Sequence, residues 1–355
     1  MENKVCYRGI DIMKFIMALF VVVLHTHPLS GIHDTLNIWS ADIIGRVSVP
    51  FFFTATGFLL EKQIRQAGRG TGRRILAPYI RKLLILYGIW TAVYLPIIIY
   101  DKIVISETGL KYDLLAVVRD FFLVGSYAQL WYLPAAAVGL IIVYFLRKYA
   151  GERGCAVIVF LLFCMGLLTQ SYFGLLVKMV PLDGLLWKLM KLVKMAMVTC
   201  RNGIFFGSIF LYMGTWIAGK EMRIKSWSAA LCLIASIALL GVEVFALEKA
   251  GYVRESDMYL MLLPAAFFLM LFAISFTVKR DTVFFRKMSM NIYFVHMIFK
   301  FSYRTFISGY RENGLRLFWF TLCASLAVSY VMYLVGRRKA QTLNHAGAEG
   351  EADGR

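Results

Sequence analysis

Apolar stretches of roughly 20 residues follow one another along almost the whole chain, parted by short polar connections. That recurrence leaves few folds open. A hydrocarbon layer about 30 Å thick is crossed by roughly 20 apolar residues in a helix, because every backbone donor and acceptor must find its partner within the segment. Spans read at 11–29, 43–60, 80–100, 130–146, 156–169, 202–218, 229–247, 258–278, 288–307 and 317–335. They predict an all-α, polytopic membrane protein of about ten helices, with one transmembrane domain over 1–339 and a short disordered tail over 340–355. Composition agrees, with 60% hydrophobic and 17% charged residues, against ~45–50% and ~25% in soluble domains. The first run has the basic flank of a signal sequence, but no small-residue cleavage site follows it, so it is expected to stay as the first helix.

The formal charge of +18 does not point to nucleic acid, because the cations sit in short loops between apolar runs and form no basic face. They set the orientation instead, since Lys and Arg beside span ends stay cytoplasmic. Arg65, Arg69, Arg73, Arg74, Arg81 and Lys82 follow the second span, Arg147 and Arg153 the fourth, Lys220 and Arg223 the sixth, Arg286 and Lys287 the eighth, and Arg337 and Arg338 the tenth. Both chain ends are thus expected in the cytoplasm. One outer loop breaks the rule with Lys178, Lys188, Lys191 and Lys194. There Leu182, Leu185, Leu186, Leu189, Met190, Val193 and Met197 recur at helical spacing opposite the lysines, which predicts a helix lying in the outer interface. Residues 113–122 read as a second such helix. The six cysteines are scattered, without the paired spacing of a zinc or redox site, and read as free thiols.

An ionisable residue at a span centre costs about 2.5–3.5 kcal/mol and is by default functional or paired. In the first span Asp11, Lys14, Ala18, Val22 and His25 step by three and four residues and share one helix face. At ~1.5 Å per residue His25 lies roughly 20 Å in from the cytoplasmic side, while Lys14 stays near the inner interface. The same counting brings Arg46, Arg201 with Asn202, Glu243 and Asp257 to the level of His25 near the outer surface, and His296 nearer the midplane. Blander roles stay open: Lys14 snorkelling to headgroups, the arginines anchoring span ends, the histidines bonding helix to helix. His27 points to another face of the first helix than His25. The segment 65–70, Arg-Gln-Ala-Gly-Arg-Gly, is similar to the pyrophosphate loop of soluble acetyltransferases, but it reads equally as a positive-inside loop.

Arg8-Gly9-Ile10-Asp11-Ile12-Met13-Lys14, running on to His25, resembles the first-helix signature of the acyltransferase-3 family of bacterial membrane proteins. Val49-Pro50-Phe51-Phe52-Phe53-Thr54-Ala55-Thr56-Gly57-Phe58, Leu130-Trp131-Tyr132-Leu133-Pro134 and Ile292-Tyr293-Phe294-Val295-His296 resemble further signatures of it, in the expected order. Within the family, Arg201-Asn202-Gly203-Ile204-Phe205-Phe206, Glu243 and Asp257-Met258-Tyr259-Leu260 are similar to the membrane half of the membrane-bound serine racemases of vancomycin-resistance clusters. Those carry a pyridoxal-phosphate domain after the membrane part; this chain ends in a short tail, so neither racemisation nor PLP is expected of it. The resemblance implies transfer of an acyl group, commonly acetyl, from cytoplasmic acyl-CoA (acetyl-CoA) to a hydroxyl of an extracytoplasmic glycan or related acceptor in the bacterial plasma membrane. It also implies an Arg and a His as functional pair in the first helix: His25 matches, and Lys14 stands in the Arg position, keeping the charge but losing the planar fork.

The expected site follows. Lys14 with Arg65, Arg69, Arg73 and Arg74 would hold the CoA phosphates, and His25 would act as general base on the acceptor hydroxyl. Glu243 or Asp257 would orient it, and Arg46 or Arg201 would stabilise the oxyanion. Asp11, Asn202 and His296 are further intramembrane polar groups, and no metal cluster is expected. The competing function is a transporter for a serine-like zwitterion, bound by Arg46 or Arg201 through its carboxylate and by Glu243 or Asp257 through its amine.

Overall fold

The computed structural model describes residues 7–68, 70–106, 109–181, 184–222, 224–276, 278–307 and 314–352. Cys6, Arg69, Leu182 and Arg223 therefore lie outside the described residues, as does the side chain of Leu186. Every regular element among the described residues is helical. Helix α1 (Arg8–Thr26) stops where His27 turns left-handed, φ 46°, just before Pro28, which cannot continue a helix. A short α2 (Asp34–Asn37) runs through a π-turn (Ile38–Ile44) and a 3-10 turn (Gly45–Val47) into α3 (Ser48–Ala67). The second apolar helix thus begins earlier than the span read from 43, and Asp42, just outside that span, pairs with Arg46 inside it.

Then follow α4 (Gly72–Ile99), with a π-turn Tyr100–Val104 at its end, α5 (Leu110–Leu123), and α6 (Tyr132–Thr169). The last is two helices meeting at Gly151, whose φ of 69° no helical residue adopts. The fourth and fifth predicted spans lie on either side of that break. Next come α7 (Phe173–Met179), α8 (Leu185–Met197), a π-turn (Gly203–Gly207) leading into α9 (Ser208–Lys220), and α10 (Ser226–Lys249). The chain closes with α11 (Leu262–Ser275), α12 (Val283–Ser302), continued by a π-turn Tyr303–Ile307, and α13 (Gly314–Ala352). The last runs on as helix through 340–352, where composition predicted a disordered tail.

Among the described residues six helical stretches are long and apolar enough to cross a bilayer on their own: Arg8–Thr26, Asp34–Ala67, Gly72–Val104, Tyr132–Thr169, Ser226–Lys249 and Gly314–Lys339; α11 is a shorter apolar helix. The chain is a helical membrane protein, with large apolar side chains such as Ile85, Ile89, Leu231 and Ile234 on the outside of the bundle.

At the centre α3 and α9 touch backbone to backbone. A Cβ on Gly57 would lie 2.1 Å from Leu211 O, and one on Gly214 2.0 Å from Thr54 O, so only glycine permits this approach. Small residues at the contact are how helices pack where lipid offers no hydrophobic drive between them. Around this pair α1, α12 and α13 form one flank, where Ala18, Val22, Met288 and Ile292 pack together. The apolar face of α8 is divided: Met190 is buried against the protein, whereas Leu185 and Leu189 are exposed.

Candidate functional site

The deepest polar feature is a pair of imidazoles. α1 brings His25 and α12 brings His296 to a ring-centroid distance of 5.3 Å with the planes 31° apart. His296 is wholly buried, and its Nδ1 lies 3.0 Å from Ile292 O, one turn back on its own helix. A carbonyl oxygen only accepts, so Nδ1 carries the proton, and in the neutral ring Nε2 is left as a lone pair. That Nε2 is buried without a hydrogen-bond partner among the described residues. The sequence places the two rings at different depths; in the fold they face each other.

Above the pair sits a charged cluster on the side reached by the 42–46 and 254–261 segments. Asp257 accepts from Arg46 and from Arg201, each at 3.2 Å. Arg46 also donates to Asp42 at 2.8 Å and to Ser256 at 3.3 Å. Arg201 lies over the Trp131 ring, 5.2 Å from its centre, and its Nε is buried without a partner. His27 turns away to Asn37, 3.2 Å from its Nδ1, and to Asp42.

Two residues expected at this level bind backbone. Glu243 accepts from Tyr172 Oη at 2.7 Å, Leu260 N at 2.6 Å and Met261 N at 2.8 Å, so its carboxylate closes the start of α11. Burial and this carboxylate push the Tyr172 phenol above its usual range, which keeps it protonated as the donor. Asn202 accepts from Ile204 N at 2.9 Å and Phe205 N at 3.0 Å and caps the helical stretch leading into α9. Asp11, buried at the start of α1, accepts from Thr282 at 2.9 Å and ties α1 to the start of α12.

On the opposite side of the histidines a cavity of about 230 Å³ opens between α1, α3, α4, α6 and α12. Lys14, Lys82 and Arg286 line it, and Tyr132 and Tyr293 line it too. The Tyr293 ring lies 6.5 Å from that of His296, so the tyrosines separate the cavity from the imidazole pair. Of the basic loop, Arg65 pairs with Glu61 at 2.8 Å, Arg73 and Arg74 are exposed, and none of the three lines this cavity. Lys82 and Arg286 line it instead, with Lys14. Their signal is present in the sequence: Tyr79, Lys82, Leu83 and Leu86 share one face of α4, and Arg286, Ser289, Met290 and Tyr293 one face of α12. Among the described residues no group of three or more His, Cys, Asp or Glu side chains is placed to hold a metal.

The helical bundle thus holds an imidazole pair with a basic cavity on one side and a charged cluster on the other. The chain belongs to the acyltransferase-3 family: the family's acyltransferase domain matches residues 7–334. It is 30% identical over 282 residues to an amino-acid racemase of Enterococcus faecalis, covering 79% of this chain and 38% of the relative. It is 29% identical over 270 residues to a serine/alanine racemase of Enterococcus gallinarum, covering 76% and 37%. The chain thus spans about two fifths of the length of these relatives. No solved structure matches it.

Proposed function

We propose that this protein is a membrane acyltransferase that moves an acyl group, acetyl by family resemblance, from cytoplasmic acyl-CoA to a hydroxyl of an extracytoplasmic glycan or cell-envelope acceptor. The reading places it in a bacterial plasma membrane as a ten-span protein with both ends in the cytoplasm, supported by the distribution of Lys and Arg among the loops. One observation carries it: the unpartnered lone pair of buried His296 beside His25, between a basic cavity and a charged outer cluster.

Lys14, Lys82 and Arg286 would hold the CoA phosphates, and the pantetheine arm would pass between Tyr132 and Tyr293 to set the thioester at the imidazoles. The acceptor enters from the Arg46 and Arg201 side. His25 takes the proton of the attacking hydroxyl, while a neighbouring hydroxyl donates to His296 Nε2. The oxygen adds to the thioester carbonyl, and the oxyanion is met by Arg201 Nε–H, a buried donor that no protein group accepts from. Collapse breaks the C–S bond, the departing thiolate recovers the proton from His25, and ester and CoA leave on opposite sides.

Transport of a serine-like zwitterion is the second reading. The Arg46–Asp257–Arg201 cluster offers both charge signs within 3.2 Å, and the relatives named above are amino-acid racemases. Proteoliposomes separate the two. Acyl transfer requires acceptor-dependent release of CoA from acetyl-CoA, lowered about 100-fold or more by His25→Asn and by His296→Asn. Accumulation of labelled serine without CoA, and no CoA release with any envelope acceptor, would instead establish transport.

A further inference from the structure

A second cavity, larger than the one at Lys14, lies away from the histidines. It measures about 980 Å³ and is walled by α3, α6, α9 and α11. Its apolar wall includes Val157, Phe160, Trp216 and Phe267, and the first three are exposed on the side of the bundle that faces lipid. At one end four cations converge: Arg65 from α3, Arg147 and Arg153 from the two sides of the Gly151 break, and Lys220 from the end of α9. Cations that only report orientation are spread among loops, whereas these surround a single apolar space.

Two of the four are held rigidly. Glu61, 6% exposed in its side chain, accepts from Arg147 at 2.7 Å and from Arg65 at 2.8 Å, and Glu152 accepts from Arg147 at 2.6 Å. Arg153 and Lys220 have no ion pair among the described residues. Four cations against the carboxylates of Glu61 and Glu152 leave an excess of two positive charges at the head of an apolar groove. A phosphodiester on a diacyl tail matches both halves, since guanidinium forks bind phosphate oxygens and basic pockets between membrane helices take anionic headgroups.

We propose that this groove is a specific site for an anionic phospholipid, its phosphate at Arg153 and Lys220 and an acyl chain along Val157, Phe160 and Trp216. The site stands whether the histidine pair transfers acyl groups or not. A free or CoA-borne phosphate is the competing source of the same chemistry; this cavity shares no lining residue with the Lys14 cavity assigned above to CoA, and competition by acyl-CoA tells the two sources apart.

The full chain in phosphatidylcholine nanodiscs doped with photoactivatable phosphatidylglycerol tests it. Crosslinks should concentrate on Val157, Phe160 and Trp216, and a phosphatidylcholine probe should give few there. The double variant Arg153→Gln/Lys220→Gln should lower the phosphatidylglycerol yield about thirtyfold at an unchanged melting temperature. Should that variant fail to fold, the crosslink map and the lipid preference of the unaltered protein decide by themselves. Equal labelling by both lipids, a yield untouched by the substitutions, or displacement of the probe by acetyl-CoA or a long-chain acyl-CoA would overturn the proposal. CoA turnover is no part of the readout, so this result and that of the acyl-transfer assay are separate.

Discussion

With its Nδ1–H given to Ile292 O, His296 can only accept at Nε2. Asparagine at 296 keeps a group near Nδ1 and loses the outer nitrogen, whereas glutamine returns a polar atom close to Nε2. His296→Asn is therefore expected to lose about 100-fold or more in acceptor-dependent CoA release, and His296→Gln to recover part of it. Equal losses in both would remove the lone pair from the mechanism. Glu243→Gln should behave differently. It puts an amide N–H where backbone N–H groups and Tyr172 already point, so about 1–3 kcal/mol of stability is lost and the melting temperature falls while turnover per folded molecule persists. The intramembrane positions of both residues are legible in the sequence, since ionisable groups stand out in apolar runs. The partners of Glu243 are not, because backbone donors at Leu260 and Met261 leave no side-chain signature.

At the scale of elements, apolar runs and breaks locate the helices well. The two interfacial helices, 113–122 and the lysine-bearing segment, have helical counterparts in α5 and α8. What the pattern misses are the junctions. The turns before α3 are braced by a distant partner, Asp257, which Arg46 reaches, and that is a tertiary cause, whereas the turn before α9 is capped locally by Asn202. The crossing of α3 and α9 is the element most sensitive to change. Gly214→Val must drive a side chain into Thr54 O, already 2.0 Å from a bare Cβ, and overpacking of this kind costs about 1–3 kcal/mol. A lower melting temperature and a broadened size-exclusion profile in detergent are the expected result; an unaltered profile would mean that the helices move apart freely.

For the whole molecule, orientation and the two-sided site make predictions that a single residue cannot. In a cysteine-depleted background, Lys188→Cys in α8 should react with an impermeant maleimide from outside intact cells, and Arg73→Cys only after permeabilisation. Reversed labelling would turn the bundle over. Replacing both Lys14 and Lys82 by Ala should raise KM for acetyl-CoA about tenfold or more with a smaller effect on kcat, because uniform binding of a remote phosphate is lost. An unchanged KM would move the donor elsewhere. The number of reactant sides and the basic character of one of them are readable from charge placement alone. Which cations converge is not: Arg65, Arg73 and Arg74 carry the same signal as Lys82, and only helix rotation separates them.

Helix α11 has 14 residues, about 21 Å of helix, whereas an average hydrocarbon layer is ~30 Å. The remainder on its Glu243 side is non-helical chain, and such backbone is tolerated at membrane depth only where protein groups satisfy it, as Glu243 does for Leu260 and Met261. Every residue of α11 is buried or half-buried, so protein and not lipid surrounds this short helix. A hydrophilic reactant arriving beside Asp257 would then meet folded chain in place of hydrocarbon, and its dry path to the imidazoles would be shorter than the thickness of the bilayer suggests.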